Sequence, residues 1–129
     1  MLTEEIMPCL QGAVPCTIVT SDLNGTPNVT IVSQAFYVDA DHIALSFQFF
    51  NKTIRNIREN PFASLQLISP VDMSMWNLDI EYLRSETEGD IFDQMDMQLE
   101  AIASMSGMAD VFKLQAADIY KVNAAVKLN

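Results

Sequence analysis

The stretch MWNLDIEYLRSETEG (75–89) sets Trp76, Leu78, Ile80 and Tyr82 on one side of an extended chain and Asn77, Asp79 and Glu81 on the other. Side chains of a β-strand point alternately to opposite faces, so this period of two predicts a long strand with one buried and one wet face. Such a strand is not stable alone and needs partners along its edges and a core beneath it.

The partners are legible upstream and downstream. CTIVTS (16–21) is β-branched, DLNGT carries an Asn24-Gly25 turn signal, and NVTIVS (28–33) alternates again, which together read as a hairpin. AFYVDADHIALSF repeats the device, with a strand to Val38, a turn on Asp39, Ala40 and Asp41, and a strand from His42 to Phe47. FASLQLIS (62–69) alternates as well, and VFKLQAADIYKVNAAVKLN closes the chain as one bent or two short strands.

Helical segments interrupt this series. Leu2, Ile6 and Leu10 recur at helical spacing behind the early acids Glu4 and Glu5, so a short helix ending near Gly12 is expected. In FFNKTIRNIRENP (49–61), Phe50, Ile54 and Ile57 mark an apolar face over a helix 52–59, and Pro61 stops it. Phe92, Met95, Leu99 and Ile102 form a helical stripe, with Asp90 as its cap and Gly107 as a left-handed stop. The order is helix, a meander counted as three strands, a short helix, two strands, a longer helix, then one or two closing strands. This predicts a mainly β, α+β fold of about six to seven antiparallel strands, curled into a barrel and capped by helices.

At 129 residues, half of them hydrophobic, the chain can bury a core without staples, and it shows no repeat or low-complexity linker. A single domain over 1–129 is expected. No segment reaches the eighteen or so apolar residues of a membrane span, and Thr3, Glu4 and Glu5 stand where a signal peptide would be basic, so a cytoplasmic location is expected.

A formal net charge of −10 disfavours nucleic acid or an anionic membrane as a general partner. Against that background, Lys52, Arg55 and Arg58 are three of only seven basic residues. Free N–H groups at a helix start favour an anion, and Lys52 and Thr53 add a cation and a hydroxyl there. The competing local explanation, which the local sequence favours, is that Asn51 caps the helix and Arg55 pairs with Glu59. The segment lacks the glycines of a P-loop.

Other features point to structure. Cys9 and Cys16 with the one histidine, His42, match no zinc or redox spacing and read as reduced, partly buried thiols; His42 reads as an exposed edge residue and no metal site is expected. The acidic face of Asp93, Asp96 and Glu100 reads as solvated. Met73, Met75, Met95, Met97, Met105 and Met108 read as core or dimer-interface packing around the last helix. Trp76 is either core or a stacking surface. No Ser/His/Asp or Cys/His constellation can be assembled.

GTPNVTIVS (25–33), HIALSFQFFNKTIRNIRENP (42–61) and the following FASLQLIS together resemble the pyridoxamine 5′-phosphate oxidase-like, FMN-binding split-barrel family. The resemblance implies a split β-barrel homodimer with FMN at the interface and its phosphate at the helix start. It makes Lys52 and Thr53 phosphate ligands with Asn51 nearby, and sets Ser46 and Gln48 near the ribityl chain or ring. It also implies that Thr30, Ile31, Val32 and Ser33 offer backbone groups to the isoalloxazine edge. The implied activity is a flavin-dependent oxidoreduction on a small molecule; the alternative is a flavin- or ligand-binding sensor without turnover. The oxidase itself has Arg where Asn28 stands, Arg-Lys where this chain has Lys52-Thr53, and a C-terminal Arg and Pro without counterpart in KVNAAVKLN. Vitamin B6 oxidation is therefore not implied. In this setting the preference at Lys52 and Thr53 turns to phosphate, while Arg55 and Arg58 either add positive potential or pair with nearby acids.

Overall fold

The computed structural model describes residues 1–12, 14–47, 51–105 and 114–129. Seven strands form one antiparallel sheet: β1 (Cys16–Ser21), β2 (Pro27–Val32), β3 (Ala35–Asp39), β4 (His42–Phe47), β5 (Phe62–Ile68), β6 (Met75–Glu86) and β7 (Ala116–Lys127). Helix α1 (Asn51–Glu59) lies between β4 and β5, and α2 (Asp90–Met105) between β6 and β7. The short helix thus follows the fourth strand, not the third, because 35–47 folds as a full hairpin of two strands.

The strand order is β2-β1-β5-β6-β7-β4-β3. Its two edges, β2 and β3, are joined by Ser33 and Gln34 alone. So short a link forces the sheet to curl until its ends approach. Ser33 Oγ then lies 3.1 Å from Ser46 Oγ on β4. Among the described residues, β2 and β3 form no ladder with each other, so the barrel stays split.

Curling creates two cores. Ile18, Val32, Leu45, Leu65, Leu78, Ile80 and Tyr120 fill the barrel, together with Ile57 from α1 and Ile6 and Leu10 from the N-terminal segment. Met95 and Leu99 of α2 pack with Ala44, Ala117 and Ile119 on the other face of β4 and β7. β7 is consequently buried on both faces through Tyr120. This explains why AADIY shows little of the alternation so clear in β6, whose Trp76, Leu78 and Ile80 are buried while Asp79 is exposed. β7 is one bent strand: its register against β6 skips Asn123 and Leu83 in turn, and each bulge adds local twist.

Several local expectations are refined. The N-terminal helix is a 3₁₀ helix over Glu4–Cys9, containing Pro8, which has no N–H to donate into an α-helical turn. Gly89, at φ 100°, contributes the carbonyl that accepts the Asp93 N–H, so Gly89 occupies the cap position and Asp90 the first turn of α2. Gly107 lies outside the described residues. Trp76 belongs to the barrel core at 7% exposure. Among the described side chains the methionines do not form one group: Met95 of α2 is buried, Met97 is exposed, and Met73 and Met75 sit exposed at the β5–β6 loop. Met108 lies outside the described residues.

Cys9 and Cys16 are free and buried, and burial pushes the Cys16 thiol up to about 12. His42 opens β4 with its Nδ1 2.7 Å from Asp39 Oδ1. It is partly covered, not fully exposed. Among the described residues, no cluster of His, Cys, Asp and Glu could hold a metal ion. Nor is any helix there long and apolar enough to cross a membrane.

Candidate functional site

Helix α1 turns its inward face, Thr53, Asn56 and Ile57, onto the end of the barrel and leaves Lys52, Arg55, Arg58 and Glu59 exposed. The amphipathic pattern explains this choice of face: Ile57 is 1% exposed and anchors the helix in the barrel core. Three side-chain amide–hydroxyl bonds then fasten the segment to the β1–β2 hairpin. Asn28 Nδ2 donates to Thr53 Oγ1 at 3.1 Å, Asn56 Nδ2 to Thr20 Oγ1 at 3.2 Å, and Asn60 Nδ2 to Ser21 Oγ at 3.0 Å. The helix ends where Asn60 N–H bonds the Asn56 carbonyl and Pro61 follows.

The first-turn N–H groups of a helix, here those of Asn51, Lys52 and Thr53, have no acceptor within the helix itself. They carry the positive end of the macrodipole, and Lys52 adds a full charge beside them. Among the described residues neither Lys52 nor Arg55 makes an ion pair, so of the two alternatives for Arg55 the pairing with Glu59 is not formed.

β2 runs alongside as the edge of the sheet. Among the described residues its six residues pair with β1 only, which leaves the outward row of its backbone N–H and C=O groups there without a strand partner. Val32 is buried, Thr30 and Ser33 are half-buried, and Ile31 is exposed. Ser46 is buried and close to Ser33. Thus Thr30, Ile31, Val32, Ser33, Ser46, Lys52 and Thr53 gather at one end of the split. Gln48 lies outside the described residues, and Asn51 is placed by its backbone at the head of α1.

Behind this end stands a residue that periodicity did not single out. Gln34, fully buried, donates its Nε2 to the carbonyls of Gly12 and Met95, both at 3.0 Å. It thereby ties the β2–β3 link to the N-terminal segment and to α2. The outer face of the same strands is apolar. Register places Val29 opposite Val19 and Val19 opposite Ser64, so these three and Phe62 share one side. Val29, Ile31 and Phe62 are exposed there at 64%, 64% and 57%. Val19, Pro27, Phe62, Ser64 and Asp79 line an open groove of about 430 Å³ beside them.

A family model described as pyridoxamine 5′-phosphate oxidase matches residues 2–123, nearly the whole of this sheet and both helices. The chain belongs to the pyridoxamine 5′-phosphate oxidase family. An uncharacterised protein of Methanocaldococcus jannaschii is 34% identical over 74 residues, which are 56% of this chain and 49% of that protein. The chain therefore spans about half the length of that curated relative. Among solved structures, an FMN-binding protein from Syntrophomonas wolfei has a TM-score of 0.74 at 19% identity, covering 97% of this chain and 90% of the other. HutZ, the haem storage protein of Vibrio cholerae, has a TM-score of 0.61 at 19% identity, covering 98% and 96%. Both likenesses establish the shared fold, so oxidase-family architecture holds for this chain while the ligand has to be argued from its own residues.

Asn28, Asn56, Asn60 and Gln34 are the positioning residues that sequence reading missed. Asn28 and Thr53 are twenty-five residues apart, and their contact exists only once α1 has packed on the hairpin.

Proposed function

We propose that this protein binds FMN, with the phosphate at the start of α1, and performs flavin-dependent redox chemistry on a small molecule. The observation that carries the reading is the meeting of an unpaired strand edge, β2, with a helix N-terminus bearing Lys52 and Thr53. A flat ring with polar edges suits backbone groups along an extended strand, and a phosphate suits fixed N–H donors and a cation. Lys52 is exposed and can reach a phosphate; the Thr53 hydroxyl accepts from Asn28 and keeps its own proton to donate. Ser46 and Ser33 supply hydroxyls for the ribityl chain, Asn51 heads the helix, and the backbone of Thr30, Ile31, Val32 and Ser33 faces the ring edge. Bound flavin would supply the electron transfer, while the chain's residues bind, orient and shield it.

The exposed apolar row of Val29, Ile31 and Phe62 supports a homodimer that closes over this end, in a cytoplasmic protein of one domain. The spectrum of freshly purified protein tests the central point. Bands near those of free flavin, with quenched fluorescence, are expected, either as isolated or after adding FMN. Absence of binding at micromolar FMN overturns the reading.

A flavin- or ligand-binding module without turnover is the second reading. It is favoured by the neutral pair Asn28 and Thr53 at the cradle. It predicts tight binding with no reduction of the bound flavin by nicotinamide cofactors.

A further inference from the structure

β7 carries a carboxyl into the barrel. Asp118 is 3% exposed and pairs in register with Leu45 on β4 and Ser85 on β6. Ser85 Oγ donates to Asp118 Oδ1 at 2.6 Å, and Tyr82 OH lies 2.6 Å from the same Ser85 Oγ. With the serine proton committed to the carboxylate, the tyrosine hydroxyl donates to the serine. The Tyr82 ring meets Tyr120 edge-on, with centroids 5.6 Å apart. On its other side Asp118 shares a void of about 10 Å³ with Ser46, Thr53, Ile54 and Tyr120, room for about one water. Of these, Thr53 is the residue that the proposed function places at the phosphate, and Ser46 the one it places at the ribityl chain. The carboxyl and Thr53, a member of the proposed anion cradle, thus line one small cavity.

Charge decides what that arrangement permits. Two anions in a shared low-dielectric site repel, and the cheaper outcome is that one of them takes a proton. The titratable groups facing Asp118 are Tyr82 from β6, Tyr120 from β7 and Arg58 from α1; Ile18, Val32, Leu45 and Ser46 bring no charge from β1, β2 and β4. Burial pushes the carboxyl up to about 6, with the Ser85 bond and the Arg58 guanidinium pulling the other way. Both protonation states are therefore accessible near neutral pH, which suits a group whose charge answers to a ligand.

We infer that Asp118 is the charge-selecting residue of the α1 anion site, and that a phosphate-bearing ligand enters with uptake of one proton from solvent by this carboxyl. The inference rests on the reading that the phosphate sits at the start of α1. Carboxyl ¹³C NMR of aspartate-labelled wild-type protein tests it directly, by titrating Asp118 alone and with saturating FMN, riboflavin or inorganic phosphate. The midpoint is expected to rise by about one unit or more with FMN and with phosphate, and to stay in place with riboflavin. In parallel, Asp118→Asn should bind FMN about tenfold more tightly than wild type at pH 8 and nearly equally at pH 5.5, since one unit of coupling is a factor of ten. If FMN binds and the Asp118 midpoint does not move, the inference falls while the proposed function stands. If FMN does not bind, the proposed function falls and the phosphate titration alone decides: an unmoved midpoint overturns the role of Asp118.

Discussion

The side-chain amide of Asn28 donates to the hydroxyl of Thr53 across 3.1 Å, fastening the edge strand of the sheet to the first turn of α1. The bond is partly buried, and a hydrogen bond of this kind contributes about 1 kcal/mol. Asn28→Ala should lower the unfolding free energy by about that amount and weaken FMN binding several-fold, as read by denaturant melts and flavin fluorescence titration. Unchanged affinity in a variant of lowered stability would mean that Thr53 needs no such tie to serve the ligand.

Lys52 separates phosphate recognition from folding. It is exposed and makes no ion pair among the described residues, so Lys52→Ala should leave stability within about 0.5 kcal/mol of wild type. A charge-assisted contact contributes roughly 1.5–3 kcal/mol, so FMN affinity should fall by at least about tenfold while riboflavin affinity hardly changes. Equal losses for both flavins would place the effect in the fold.

Ile57 holds α1 on the barrel. At 1% exposure within the core, Ile57→Ala should cost about 2–5 kcal/mol in thermal or denaturant unfolding. Hydrogen exchange of the α1 amides should rise more than that of β6. A uniform rise over both would show that α1 opens only with the whole fold.

Asp118 makes stability depend on pH. Its carboxyl is raised to about 6 in the fold from an ordinary 3.8, so the folded state holds the proton more tightly than the unfolded chain. Stability contributed by this group is therefore greatest at low pH and declines as pH rises from about 4 through 6, by up to about 3 kcal/mol in total. Asp118→Asn keeps an acceptor for Ser85 and should remove that decline, becoming more stable than wild type at pH 7.5 but not at pH 4. Parallel pH profiles for the two proteins would contradict it.

Gly12 is constrained twice. Its φ is 77°, and an added Cβ would collide with Gln98 Oε1 and stand 3.0 Å from the Phe36 ring. Gly12→Ala should destabilise by about 1–3 kcal/mol, and Gln98→Ala in the same chain should restore only part, because the left-handed backbone strain remains. Full recovery in the double variant would assign the whole cost to the side-chain contact.

Alternation and turn residues were enough to determine the strands, the place of both helices and the mainly β class, because these depend on neighbours within one element. β6 is the clearest case, with Trp76, Leu78 and Ile80 buried as its period of two requires. The motif from 42 to 61 was likewise legible, since a helix start bearing Lys52 and Thr53 after a strand is a local feature. What only the tertiary structure decided is how distant elements share space. The two-residue link between opposite sheet edges curls the sheet into a split barrel, the double burial of β7 hides its alternation, and Asn28, Asn56 and Asn60 become clamps only when α1 docks. Asp118 shows the physical reason most plainly: its charge is written in the sequence, but its environment comes from four strands and a helix that meet only in the folded chain.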